Sequence, residues 1–291
     1  MIKRVHSRQR LHNIPLKSSC ILLALALIGC SSAPIDPPRE PSSAPSESPA
    51  APSLREFDLD NALWELSDGY GSEESTALQF KNGKANLNTA EYSIGDVVYS
   101  DMNGDGVEDA LAPVEMLDGN SFSSLWFIWL AAIEQPEQLI HPVAASRSCG
   151  DFINEVTAIP GGIEITETRR TIFDEDRSCA EGGTWEETRT IAVEQFGEDK
   201  IWLPVQTGPE RGYGGVCNEE LPGDVVPFDE PYYLAPTTEA KEEFSSGEIR
   251  GISIAGLEDQ GTEGGEPGGW RLYNVVENDD SVERCIWLPI H

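Results

Sequence analysis

The residues best equipped for chemistry stand in one short run, Asp101-Met102-Asn103-Gly104-Asp105-Gly106-Val107-Glu108-Asp109. It fits D-x-[DN]-x-D-G-x-x-D, which sets carboxylate or amide oxygens on alternate residues. Calcium is a hard cation that takes about six to eight oxygens, and such a loop can turn its oxygens toward one centre while glycine permits the tight bend. Asp101, Asn103, Asp105 and Asp109 are the expected side-chain ligands, and Val107 is expected to add its backbone carbonyl. Crowded carboxylates repel one another until a cation neutralises them, so calcium is expected as a structural ion that orders the loop and stabilises the fold. The same run also reads as an acidic turn, since Asn103-Gly104 and Asp105-Gly106 are ordinary hairpin dipeptides.

The run departs from an EF-hand in two ways. Its twelfth position is Ala112 instead of a bidentate glutamate, and its flanks, Val97-Val98-Tyr99 and Ala110 to Val114, read as strands, with Pro113 disfavouring an exiting helix. A strand-loop-strand with aspartate in ninth place resembles the calcium loops of FG-GAP and VCBS-type repeats. The stretch Gly95 to Val114 also resembles a loop of bacterial lipoproteins of unknown function. The resemblance covers residues 94–133 and implies the ligand set given above. Only one copy is present, and a propeller needs ~40 or more residues for each of several blades, so that architecture is excluded.

Strands must position this loop, because short apolar stretches between Gly, Pro, Asn and Asp turns dominate the chain. Leu125 to Ile133 is a continuous apolar run that predicts a fully buried central strand. Pro160-Gly161-Gly162 predicts a hairpin joining Val156-Thr157-Ala158 to Ile163-Glu164-Ile165-Thr166, and a second hairpin is expected between Thr190–Phe196 and Ile201–Val205. Helices are expected only at Asp58–Leu66 and Thr237–Phe244. The fold class is mainly β: an antiparallel sheet or sandwich domain with few short helices over 54–206, followed by a smaller β-rich module over 207–291. Ile201-Trp202-Leu203-Pro204-Val205 and Ile286-Trp287-Leu288-Pro289-Ile290 echo each other, as two hairpin strands closing the two segments would.

The amino terminus reads as an address. Residues 1–19 carry Lys3, Arg4, Arg8, Arg10 and Lys17 with no acid, ahead of the apolar run Cys20 to Ile28. Nine apolar residues are too few for a spanning helix, which needs ~20. Leu27-Ile28-Gly29-Cys30 resembles the lipobox of bacterial lipoproteins, which implies that residues 1–29 are a signal peptide and that Cys30 becomes the lipidated first residue. Of the 23 residues from Ser31 to Ser53, seven are Pro, seven Ser and four Ala, so 30–53 is expected to be a tether that buries no core. The expectation is an exported protein, anchored by lipid to the cell membrane or outer membrane.

The 291 residues hold 20 Lys and Arg against 51 Asp and Glu. Loss of residues 1–29 removes five bases and no acid, leaving 15 against 51, net −36. That field repels polyanions, so nucleic acid is excluded as a partner. In an oxidising setting Cys149, Cys179, Cys217 and Cys285 are expected to form disulfides. Of three pairings the economical one is Cys149 with Cys179 and Cys217 with Cys285.

Only His141 and His291 survive removal of residues 1–29, and no Ser-His, P-loop or Rossmann motif appears. Those absences favour a non-catalytic binding or assembly role toward an unknown envelope glycan or protein. The alternative is a carboxylate-dependent envelope glycan hydrolase, which leaves no linear signature. Of seven tryptophans most are expected in the core, while Trp270, after the glycine-rich stretch 264–269, is the candidate for ligand contact.

Overall fold

The computed structural model describes residues 53–67, 75–132, 134–148, 150–170, 174, 176–198, 200–216, 225–228, 231–237, 240, 242–243, 249–253, 270–277 and 283–289. The chain divides into two units, Met1–Glu47 and Ser48–His291, and every described residue belongs to the second. The sequence features of residues 1–52 therefore lie outside the described residues.

Three antiparallel sheets follow two 3-10 turns, Leu54–Glu56 and Leu59–Asn61. The first sheet is the pair β1 (Leu63–Leu66) and β2 (Thr76–Gln79). The second holds β3 (Lys84–Leu87), β4 (Ala90–Ile94), β5 (Val98–Ser100), β6 (Asp109–Asp118), β7 (Ser121–Leu130), β8 (Glu137–Gln138) and β9 (Ala144–Arg147). Its order is β3-β4-β6-β7-β8, with β5 sharing the β4 edge of β6 and β9 pairing β7.

The third sheet holds β10 (Phe152–Ile159), β11 (Gly162–Arg169), β12 (Trp185–Phe196), β13 (Ile201–Gly208), β14 (Gly212–Tyr213), β15 (Val225–Phe228), β16 (Tyr232–Tyr233) and β17 (Glu242–Glu243), then β18 (Ile249–Ser253), β19 (Trp270–Glu277) and β20 (Glu283–Pro289). Its main path runs β10-β11-β12-β13-β14-β20-β19-β18-β15.

The seven-stranded sheet is the middle layer, and the strand period of two explains how it serves two cores. On one face Ala110, Ala112 and Val114 of β6 join Leu125, Phe127 and Trp129 of β7 against Leu54, Leu59, Trp64, Leu78 and Phe80. On the other, Leu111, Ile128 and Leu130 meet Ile163, Ile165, Ile191 and Val193 of the third sheet. A strand covered on both faces needs apolar side chains at consecutive positions, which accounts for the run in β7. The run is the expected central strand, shortened: β7 ends at Leu130, and Ile133 lies outside the described residues. Both expected hairpins form, Ile159 facing Gly162 and Phe196 facing Ile201.

The two expected helices are corrected among the described residues. No helix forms over 58–66: a 3-10 turn gives way to β1, where Trp64 and Leu66 are buried and Leu63 and Glu65 exposed. That alternation has strand period, and Trp64 is wholly enclosed by Phe80, Phe127 and Trp129. Within Thr237–Phe244 the described residues show bends and β17, and residues 238, 239, 241 and 244 lie outside them. Positions 206 and 207 lie within β13, and β14 joins it to β20 through the Val205–Tyr213 and Tyr213–Cys285 pairings. Ile201–Val205 thus lies in β13 and Ile286–Pro289 in β20, each strand paired antiparallel with the one before it in the same sheet.

Phe127→Ala removes a fully buried ring shared by the first core and should cost about 3–5 kcal/mol in denaturant unfolding. Phe152→Ala, at a side chain 59% exposed, should stay within about 0.5 kcal/mol.

Candidate metal centre

The Asp101–Asp109 run is the connection of a β-hairpin, with Ser100 on β5 paired to Asp109 on β6. Its inner limb is held by the third sheet. The Ser100 hydroxyl lies 2.9 Å from the Ile159 carbonyl and 2.6 Å from that of Gly162. The Val193 N–H donates to the Met102 carbonyl at 2.8 Å, and the Met102 side chain is 1% exposed in the second core. The outer limb packs on the first core through Val107. Arg55 grips it from the amino-terminal turn, donating through Nε and Nη2 to Glu108 at 2.6 and 2.9 Å while its guanidinium lies 4.2 Å from the Tyr99 ring centroid. That pairing holds the Glu108 carboxyl below its usual range.

Within the loop, oxygens turn to backbone donors. The Asp105 N–H donates to Asn103 Oδ1 at 3.0 Å, and the Val107 N–H to Asp105 Oδ1 at 2.8 Å. The Gly106 N–H donates to Asp101 Oδ2 at 3.0 Å. Asn103 Nδ2 lies 3.2 Å from Asp105 Oδ2, so these two side chains sit together. Gly104 and Gly106 hold φ of 75° and 87°, left-handed conformations that glycine adopts without steric cost. Asp101 Oδ1 is buried with no hydrogen-bond partner.

Asp109 plays a different part from the other three. It is 0% exposed, its Oδ2 accepts from the Met102 and Asn103 N–H groups at 2.9 and 3.3 Å, and its Oδ1 accepts from the Ala131 N–H at 2.9 Å. The carboxylate therefore clamps the start of the loop to the end of β7. Burial pushes its pKa up to about 6, with Asp105 adding to the rise and the amide donors opposing it. Among the described residues no three His, Cys, Asp or Glu side chains already converge as a metal cluster. The expected oxygens on Asp101, Asn103 and Asp105 lie along one short loop, whereas Asp109 faces inward.

The other expected site residues are scattered. Trp270 does not stand in a loop: it opens β19, pairs with Pro289, and sets its ring edge-on to Tyr233 at 5.0 Å beside the small core of Tyr213, Leu272 and Trp287. Cys179 stands in the 3-10 turn Cys179–Glu181 and Cys285 on β20. Cys149, Cys217 and Cys30 lie outside the described residues. Sequence reasoning missed Arg55, Ser100 and Met102 as loop supports. The one signal was Met102 itself, an apolar residue in a polar loop that had to be buried somewhere.

Asp109→Asn should cost about 1–3 kcal/mol, because an amide N–H2 would face a backbone N–H donor in the interior. The folded pKa lies above the ordinary 3.8, so the native state binds the proton more tightly than the unfolded chain. This group's stabilisation is full below 3.8 and is lost as pH rises through about 6. Unfolding of the wild type across that window should show this loss, and the variant should lack it. No protein-family model, curated protein or solved structure matches this chain, so the resemblance over residues 94–133 rests on the loop's own residues.

Proposed function

We propose that this chain is an exported lipoprotein, tethered to a membrane through acyl chains on Cys30, whose β body takes a structural calcium ion at Asp101–Asp109 and serves a non-catalytic binding or assembly role in the cell envelope. The observation that carries the calcium reading is Asp101 Oδ1, a buried carboxylate oxygen with no donor. Leaving such an atom unpaired is costly, and a cation is the partner that its charge calls for. Asn103 and Asp105 bring further oxygens on the same loop, their side chains 3.2 Å apart, and Asp105 is exposed, which gives an ion a way in. The Val107 carbonyl completes the expected set, with water filling what remains of the six to eight positions, by the general habit of calcium.

The anchoring reading rests on the lipobox-like Leu27–Cys30 and on the Pro, Ser and Ala composition that follows it. Two or three acyl chains at ~0.8 kcal/mol per buried methylene hold a protein stably, whereas one chain is marginal. The acidic balance suits a surface rich in divalent or polycationic partners.

Thermal melting tests the ion: at a hundred times its dissociation constant calcium adds about 2.7 kcal/mol relative to chelator. Asp105→Ala should abolish that difference, and a difference that survives the substitution refutes the loop assignment. Cys30→Ser should move the protein from the membrane fraction to the soluble one; retention in the membrane contradicts lipid anchoring. Incubation with isolated envelope glycan should give saturable binding without new reducing ends. Calcium-dependent release of such ends would favour the hydrolase.

A further inference from the structure

The face of the middle sheet that meets the third sheet is covered over only part of its length. By the strand period of two, β6 presents Leu111 on that face and then Glu115 and Leu117, while β7 presents Ile128 and then Phe122. Leu111 and Ile128 lie in the second core, whereas Leu117 is 50% and Phe122 37% exposed. On β3 and β4, Ala85 and Tyr92 pack on the first core, so Lys84, Asn86, Glu91 and Ser93 point the other way and extend the open face.

The register arranges these side chains in two rows across the strands. One row is Lys84, Ser93 and Glu115; the other is Asn86, Glu91, Leu117 and Phe122. Rows two residues apart stand about 7 Å from each other along the strands. Ala85, Tyr92 and Met116 form the line between them, and its floor is peptide backbone already bonded along the ladders. The rows enclose a trough of about 430 Å³, a size within the ~300–1,000 Å³ of ordinary ligand sites.

The walls decide what can lie there. Among the described residues Lys84, Glu91 and Glu115 form no ion pair, and Glu115 accepts from the Ser93 hydroxyl at 3.4 Å. Two carboxylates against one ammonium, in a chain of net −31, disfavour an anion. A bare cation would leave Leu117 and Phe122 open to water. A peptide cannot add as a strand across a floor whose N–H and C=O groups are taken, and an acyl chain would cover the carboxylates without giving them partners. An uncharged glycan satisfies both kinds of wall. Its hydroxyls accept from Lys84, Asn86 and Ser93 and donate to Glu91 and Glu115, and the C–H face of a pyranose ring covers Leu117 and Phe122.

We propose that this trough binds an uncharged glycan chain lying across the strands, with a ring face against Leu117 and Phe122 and hydroxyls bonded to Asn86, Glu91 and Glu115. The inference rests on the non-catalytic binding role stated above and gives that role a place and a ligand class.

Saturation-transfer NMR on the purified full chain tests it with two uncharged probes, tetra-N-acetylchitotetraose and cellotetraose, and one acidic probe, tetragalacturonate. Transfer to the ring protons of at least one uncharged tetramer is expected, and tetragalacturonate should show none at the same concentration. Phe122→Ala should raise the half-saturating concentration about tenfold, the loss of one aromatic contact. Asn86→Ala should raise it as well, and thermal melting shows whether each variant is folded. Phe152→Ala, at an exposed ring outside the trough, should leave binding unchanged. Absence of transfer to both uncharged tetramers, equal transfer to tetragalacturonate, or unchanged binding in folded Phe122→Ala and Asn86→Ala would each overturn the proposal. Sedimentation with isolated envelope glycan reads the wider role separately. If both variants sediment like the wild type, the trough is not the site although the binding role stands; if the wild type binds a tetramer but not envelope glycan, the trough stands and its envelope role falls.

Discussion

One buried carboxylate decides how the middle of this protein is put together. Asp109 is the first residue of β6, fully enclosed, and takes three backbone N–H donors from two separate chain segments. An enclosed charge without such donors would be prohibitive, and enclosed N–H groups without an acceptor would cost nearly as much. Each side therefore fixes the other: the amides hold the carboxylate, and the carboxylate closes the loop onto the end of β7. Because β6 and β7 separate the two main cores, the loop is registered to both at once.

That anchoring makes the loop asymmetric. Its inner limb, at Ser100 and Met102, is bonded to the third sheet, while Asp105 at the tip stays exposed. A limb tied by tertiary hydrogen bonds opens only with the sheet, whereas an exposed tip has few contacts to lose. In the proposed reading this division separates the part that sets the ion's position from the part through which it arrives. The inward Asp109 contributes its charge and its grip on the loop, Asp101 contributes its buried unpaired oxygen, and Asn103 and Asp105 contribute oxygens nearer the surface.

The local features of the fold were legible in the sequence because their causes are local. Consecutive apolar residues in Leu125–Leu130 announce a strand covered on both faces, and Pro160-Gly161 announces a two-residue turn. Asp58–Leu66 misled because a short polar start before Trp64 imitates a helix entry, while the enclosing Phe80, Phe127 and Trp129 come from far along the chain. The glycine and proline content after Thr207 marks a loop, and the pairing of Tyr213 with both Val205 and Cys285, strands far apart in the chain, carries no signal in the sequence. The buried Arg and Glu residues of β11 and β12 were illegible as a group. Glu167, Glu187 and Arg189 alternate with Thr168, Thr188 and Thr190, and nothing in that alternation says which face turns inward. In the loop the ligand pattern was visible, but the division of labour between Asp109 and the others depends on Ala131, a residue with no chemical signal.

A crystal structure of the protein grown in calcium tests the central claim most directly. The account predicts one cation with Asp101 Oδ1 and an Asp105 oxygen at about 2.3–2.6 Å, and Asp109 still accepting from the Ala131 N–H. A loop that carries no cation in saturating calcium, with Asp101 Oδ1 bonded instead to an ordinary donor, would contradict it.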